Sequence, residues 1–207
     1  MSAVLAITGG VACGKSQCLQ KIKAYCRDSR IFSCDEEVSK LLTEKEIVRS
    51  LKGCIGDAVL ESNGVINRHF LREKIFESSI VRKQVEDLIH PHVLKRAKAF
   101  IGESQNSSMI VIEVPLLYEV DFPIFRDFDV VVGCSEATQL NRLTNIRKLS
   151  KDQAIQIVGA QLSVQSKVDR ADFVAWNDGA LQDFDDQVEI IIDTILSNDT
   201  EKYDRRD

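Results

Sequence analysis

Gly9 and Gly14 are separated by four residues, and Lys15 and Ser16 follow directly, in the stretch GGVACGKS. That spacing serves one chemistry well. A glycine-rich loop of this length turns successive backbone N–H groups inward as an anion nest, the lysine reaches the β- and γ-phosphates of a nucleotide, and the hydroxyl ligates a divalent cation. A chain of this size meets the pattern by accident roughly once in a hundred tries. The alternative is a glycine-rich turn beside a surface lysine. Context argues against it: Ala3 to Ile7 is an apolar run of strand type, while Cys18, Leu19, Ile22 and Tyr25 recur at helical spacing. The glycines then lie between a strand and a helix start, whose N-terminus adds partial positive charge. Gly10, Val11, Ala12, Cys13, Gly14, Lys15, Ser16 and Gln17 are the expected ATP-phosphate contacts, with Lys15 also catalytic and Ser16 the Mg²⁺ ligand.

Phosphate loops serve switches, motors and kinases alike, so a second site must decide. The guanine-reading NKxD stretch and the DxxG turn of regulatory GTPases are both missing from the sequence, and a motor usually needs more chain. A small kinase remains, and it needs a group to accept the proton of the acceptor hydroxyl. Asp35, directly after the apolar run Ile31 to Ser33, is the candidate base. An aspartate there also makes a good helix N-cap. In MIVIEVPLLYE, Glu113 ends a third apolar run, where an acidic residue can hold Mg²⁺ through water or serve as a plain ion-pair partner. Pro115 fixes the chain as it leaves the sheet.

The elements that must position these groups alternate. Val4 to Ile7, Ile31 to Ser33, Met109 to Val114, Val130 to Val132 and Phe173 to Trp176 read as buried strands with helical patterns between and after them. Such alternation implies a parallel sheet covered by helices, with ligands beyond the carboxyl ends of the strands. The expected fold class is α/β, a three-layer phosphate-loop kinase fold in one domain. Its core spans about 1–35, 100–140 and 166–197, with a helical insertion at about 36–99, a second helical stretch at about 141–165 that the family resemblance named below implies is a lid, and a polar tail at 198–207. The insertion contains a turn at Glu61 to Gly64. His90-Pro91 reads as a helix boundary. A closing amphipathic helix is expected over Leu181 to Leu196.

Composition bounds the partners. The 207 residues carry a net charge of -5, which argues against broad nucleic-acid or membrane-surface binding. Six cysteines without a CxxC pair, and no run of 18 apolar residues, point to reduced thiols in a cytoplasmic protein that spans no membrane. Cys13 reads as a small residue that fits the loop, or as a redox-sensitive spot beside a helix N-terminus.

Taken together, TGGVACGKS, Asp35, NGVINRHFLREKIF, IHPHV, VPLLYE, QLNRL, LSKDQAIQIVGAQ and ADFVAWNDG resemble, in order and spacing, the dephospho-CoA kinase family from Ile7 to about Gly179. The resemblance implies transfer of the γ-phosphoryl of Mg·ATP to the ribose 3′-hydroxyl of dephospho-CoA, the last step of coenzyme A synthesis. Asp35 becomes the base, and Asp35, Arg68, His90 and Pro115 become acceptor-binding. Arg142 becomes a catalytic and ATP-binding residue, and Asn177, with Gly179 in a turn, approaches adenine. Gln161 is expected to touch nucleotide, Trp176 to pack, and Pro91 to be structural. Three departures stand out. Ser33 occupies a position where an acid is common, and Gln17 replaces a threonine. A second arginine is expected at Ile146 but appears one residue later as Arg147, followed by Lys148 where glycine is usual. Arg147 would serve only if the helix end rearranged, because one residue is about 100° of helix.

Overall fold

The computed structural model describes residues 2–204, the side chains of 198–204 excepted. The chain forms two compact units, one of Met1–Ser33 with Phe100–Asp207 and one of Cys34–Ala99.

Five strands build the sheet of the first unit: β1 (Ala3–Gly9), β2 (Arg30–Ser33), β3 (Met109–Glu113), β4 (Phe128–Gly133) and β5 (Phe173–Trp176). They pair in the order β2-β3-β1-β4-β5, all parallel. Every residue of β1 and β3 is buried, which explains why these strands read as continuous apolar runs rather than alternating ones. Helices α1 (Lys15–Tyr25) and α9 (Leu181–Asp204) close a core in which Leu5, Ile7, Ile22, Val111, Val132, Phe184 and Ile192 are buried together. Burial of each such large side chain is worth about 1.5–3 kcal/mol. Register matters for chemistry: Ile7 and Ser33 both pair with Glu113, and Gly9 pairs with Val132. The carboxyl ends of four strands are thereby brought level.

The first unit also holds α6 (Glu136–Asn141), a π-helical turn at Arg142–Ile146, α7 (Lys151–Gly159) and α8 (Val164–Val168). The closing helix runs past the expected Leu196 to Asp204, so residues 198–204 of the expected polar tail continue it in backbone, and 205–207 lie outside the described residues.

The second unit contains α2 (Cys34–Leu41), α3 (Lys45–Ile55), a 3₁₀ turn (Asp57–Val59), α4 (Arg68–Glu77) and α5 (Ser79–Glu103) up to Ala99. Ile47, Leu51, Val59, Ile66, Leu71, Val85, Ile89 and Val93 are among its buried apolar residues. A short reversal joins the 3₁₀ turn to α4, with Leu60 and Ile66 bridged and Gly64 at φ +80. Asn67 caps α4 by accepting from the Phe70 amide at 3.0 Å. Arg96 ties α5 to α2 and to the approach to α3 through Glu37 and Glu44, each at 2.5 Å. Burial works against the Glu37 carboxylate, but donors from Arg96 and Lys40 outweigh it and hold it below the usual range.

One expectation fails here. Helix α5 does not end at His90-Pro91; it runs through Pro91 as a 25-residue helix. Proline lacks one N–H and crowds the preceding turn, yet the buried ridge Val85, Ile89, Val93 and Ala97 continues on both sides of it. Tertiary packing overrides the local breaker.

Lys167, in α8, is fully buried. Its ammonium lies 2.7 Å from Glu119 Oε1 and 3.4 Å from the Pro115 carbonyl, while Glu119 Oε1 also accepts from the Leu162 amide at 3.2 Å. Removing one partner of a buried pair leaves an uncompensated charge. Lys167→Ala should therefore cost about 3–5 kcal/mol of stability, read as a lowered urea midpoint. A loss under about 1 kcal/mol would mean the pair behaves as a surface one.

Candidate active site

The loop between β1 and α1 is shaped by close approach. A side-chain carbon at Gly9 would come within 2.1 Å of the Val132 carbonyl oxygen, and one at Gly14 within 2.2 Å of Asn177 Nδ2, with Gly14 already at φ +104. Both positions exclude any larger residue. Helix α1 starts at Lys15 and carries no acidic residue in its first turn, so its N-terminal field is not cancelled locally. The Lys15 ammonium folds over the loop onto the carbonyls of Gly9 (3.1 Å) and Gly10 (3.0 Å). Ser16 is exposed at the helix start, and Gln17 Nε2 is buried with no hydrogen-bond partner among the described residues.

Four side chains from distant segments brace the loop. Arg142 donates to the Ala12 carbonyl (3.0 Å) and to the Asn177 carbonyl and Oδ1 (2.8 and 3.2 Å). Asn177 Nδ2 in turn donates to the Cys13 carbonyl at 2.8 Å. Gln139 Nε2 donates to the Val11 carbonyl at 2.8 Å, and Gln161 Oε1 accepts from the Val11 amide at 3.0 Å. Gln161 thus touches the loop itself. Sequence reasoning missed Gln139, although its i,i+3 spacing from Arg142 at the end of α6 was the available signal.

The other strand ends are equally ordered. Ser33 Oγ donates to Glu113 Oε2 at 2.6 Å, so the hydroxyl at the position where a second acid was expected instead satisfies Glu113. Pro115 presents its carbonyl to Thr8 and Lys167. Past β5, Asp178 accepts from the Ser135 amide and hydroxyl and from Trp176 Nε1, which ties β5 to the start of α6. Burial opposes the Asp178 carboxylate, but donors from Thr138, Ser135 and Trp176 hold it below the usual range. Trp176 packs against Gly133 yet stays 40% exposed.

In the second unit, Asp35, Arg68 and His90 line one cavity of about 440 Å³, together with Ser39, Arg72 and an apolar wall that includes Leu71 and Ile89. Asp35 sits inside the first turn of α2 rather than ahead of it, so it is not the helix cap. Arg68 is held by the Ser39 hydroxyl (3.2 Å) and carbonyl (3.1 Å), and the Ser39 hydroxyl donates to the Asp35 carbonyl at 2.9 Å. Pro115 is not among the residues lining this cavity.

The family model for CoaE, dephospho-CoA kinase, matches residues 3–183. The chain belongs to the dephospho-CoA kinase family. Members catalyse the final step of coenzyme A biosynthesis, the ATP-dependent phosphorylation of dephospho-CoA. A dephospho-CoA kinase of Trichormus variabilis is 33% identical over 91% of this chain and 96% of its own length. The folds of a Thermus thermophilus protein, TT1252 (TM-score 0.79, 22% identity, 93% of this chain and 97% of that one), and of dephospho-CoA kinase from Campylobacter jejuni (TM-score 0.62, 22% identity, 94% and 97%) are shared.

Because Asn177 joins the Cys13 carbonyl to Arg142, its truncation to alanine strands two donors or acceptors at once. Loss of one buried hydrogen bond costs about 1–3 kcal/mol. Asn177→Ala should raise the KM for ATP roughly tenfold or more, with a smaller change in KM for the acceptor; equal effects on both would disprove a local action on the loop.

Proposed function

We propose that the Gly9–Gln17 loop, with Arg142 and Asn177, holds ATP, and that the Asp35, Arg68 and His90 cavity receives dephospho-CoA, whose ribose 3′-hydroxyl is the acceptor. The observation that carries the acceptor assignment is the convergence of Asp35, Arg68 and His90, distant in sequence, on one cavity with an apolar wall. Arginine forks suit the diphosphate of the acceptor, and the apolar side suits its uncharged arm.

The chain's own groups act by position and charge. Inward amides of the loop and the α1 N-terminus bind the phosphates, and Lys15 exchanges its carbonyl partners for phosphate oxygens. Arg142 lies across the loop and offsets charge that spreads over the transferring phosphoryl. Asp35 accepts the hydroxyl proton as the new bond forms. In this reading Arg147 is not assigned a role, and Pro115 supports the strand ends through its carbonyl.

Mg²⁺ suits the donors present. The Ser16 hydroxyl and the Glu113 carboxylate are hard oxygen ligands, and no group of three or more His, Cys, Asp or Glu among the described residues could cage an ion alone. That is the pattern of an ion that arrives with nucleotide phosphates and water. When bound, Mg²⁺ neutralises charge on the β- and γ-phosphates. The proposed compartment is the cytoplasm, in keeping with six free cysteines; no helix among the described residues is long and apolar enough to cross a membrane.

The acceptor assay is decisive. With ATP and a panel of dephospho-CoA, nucleoside monophosphates and shikimate, only dephospho-CoA should yield ADP and a 3′-phosphorylated product. Asp35→Asn should keep ATP binding and lose turnover by about 10² or more; a variant of full activity would remove Asp35 from the mechanism.

A further inference from the structure

Two of the six cysteines meet beneath the phosphate loop. Cys13 belongs to the loop and Cys134 directly follows β4, 121 residues away, yet their sulfurs lie 3.3 Å apart with the Cys134 thiol donating to Cys13. Both are buried. A disulfide bond is about 2.05 Å long, so the sulfurs need to close by only about 1.3 Å.

The electrostatics single out Cys13. Cys18 is pushed up to about 12 by burial and by nearby carboxylates, and Cys26 is also raised by burial. Cys13 moves the other way, down to about 7, chiefly through the hydrogen bond from the Cys134 thiol; the Lys15 charge and the backbone amides of Cys134 and Gly10 add to this against the cost of burial. Cys134 is raised correspondingly by the Cys13 sulfur and by its own burial. The Cys134 thiol thus donates to the Cys13 sulfur, which favours thiolate at Cys13 over Cys134, the arrangement of a nucleophilic and a resolving cysteine.

We propose that Cys13 and Cys134 form a reversible disulfide that ties the phosphate loop to the end of β4 and stops nucleotide binding. With a hydroperoxide as oxidant, the Cys13 thiolate attacks the peroxide oxygen, the O–O bond breaks, and the departing oxygen leaves as hydroxide or alkoxide. The sulfenic acid so formed is attacked by the Cys134 sulfur; the S–O bond breaks, the S–S bond forms, and water departs with the Cys134 proton. Two electrons pass from the two sulfurs to one peroxide. Closure by about 1.3 Å acts where it matters. The Cys13 carbonyl is the acceptor of Asn177, the Cys13 amide bonds the Gly10 carbonyl at 3.4 Å, and Ser135, next to Cys134, caps the helix that carries Gln139.

The inference rests on the loop being the nucleotide site, so linkage and binding are read separately. The reduced full-length chain is treated with hydrogen peroxide, alkylated and digested. The expected product is a Cys13 peptide joined to a Cys134 peptide, two hydrogens lighter than the separate pair. Binding of a fluorescent ATP analogue, which does not depend on acceptor chemistry, should weaken roughly tenfold or more on oxidation and return with dithiothreitol. Cys134→Ser should resist that loss. Absence of the linked peptide, linkage to another cysteine, or linked wild-type protein that binds nucleotide as tightly as reduced protein would each overturn the proposal. Loss of binding in Cys134→Ser matching that of wild type would do so too, and the peptide map of the wild-type chain stands whether or not the variant folds.

Discussion

A loop that turns its amides toward an anion must turn its carbonyls away from it, and each of those carbonyls still needs a donor. This chain supplies one for six in succession. Gly9 and Gly10 receive Lys15, Val11 receives Gln139, Ala12 receives Arg142, Cys13 receives Asn177, and Gly14 receives the Cys18 amide of the first helical turn. The nest is therefore held open largely by side chains, with local backbone donors only from Cys13 to Gly10 and from Cys18 to Gly14. In the proposed reading phosphate binding belongs to the loop, while the loop's shape is a property of α6 and the turn after it, of the residue after β5 and of the lysine proposed to meet the nucleotide.

That division has a functional consequence. Three of the donors stand on segments that follow β4 and β5, so the same residues that shape the loop feel any change in those segments. Asp178 strengthens the link, because it joins the end of β5 to the cap of α6. Gln161 adds a contact of the opposite kind, occupying the Val11 amide with a side-chain oxygen. Lys15 holds the same double position: its two carbonyl bonds, of about 1.5–3 kcal/mol each net for a charged donor, are exchanged for the oxygens of a phosphate in the proposed reading.

What the sequence showed depends on how far each interaction reaches. The phosphate loop is eight consecutive residues with its own backbone logic, so it was readable, and β1 and β3 were readable because fully buried parallel strands are continuous apolar runs. Asp35 was placed correctly just past β2, but its position inside the first turn of α2 rather than at the cap depends on where the helix starts, which boundaries alone do not reveal. Pro91 misled, because a breaker's cost of about 3 kcal/mol is smaller than the combined burial of four apolar residues on the same helix. Lys167 with Glu119, and Cys13 with Cys134, are pairs joined by topology alone, and no local pattern announces them.

The stretch around Ile146, where the family resemblance led to the expectation of an arginine, departs from a regular α-helix. In a regular α-helix Arg147 would point about 140° away from Arg142. The chain instead makes a π-helical turn over Arg142–Ile146, in which the Arg147 amide bonds the Arg142 carbonyl at 3.1 Å. A ring of five residues rather than four turns the later residue back toward the face of the first. Lys148 then takes a left-handed conformation, φ 59, where a glycine would be at ease. A side chain there accepts about 1–2 kcal/mol of strain. Ser150 and Gln153 recover part of it by closing a capping box at the start of α7. Ile146, which takes the position where an arginine was expected, is 73% exposed, so the turn carries no buried apolar anchor at that point. Arg147 thus follows a π-helical turn rather than an α-helical one, at the position next to the expected one.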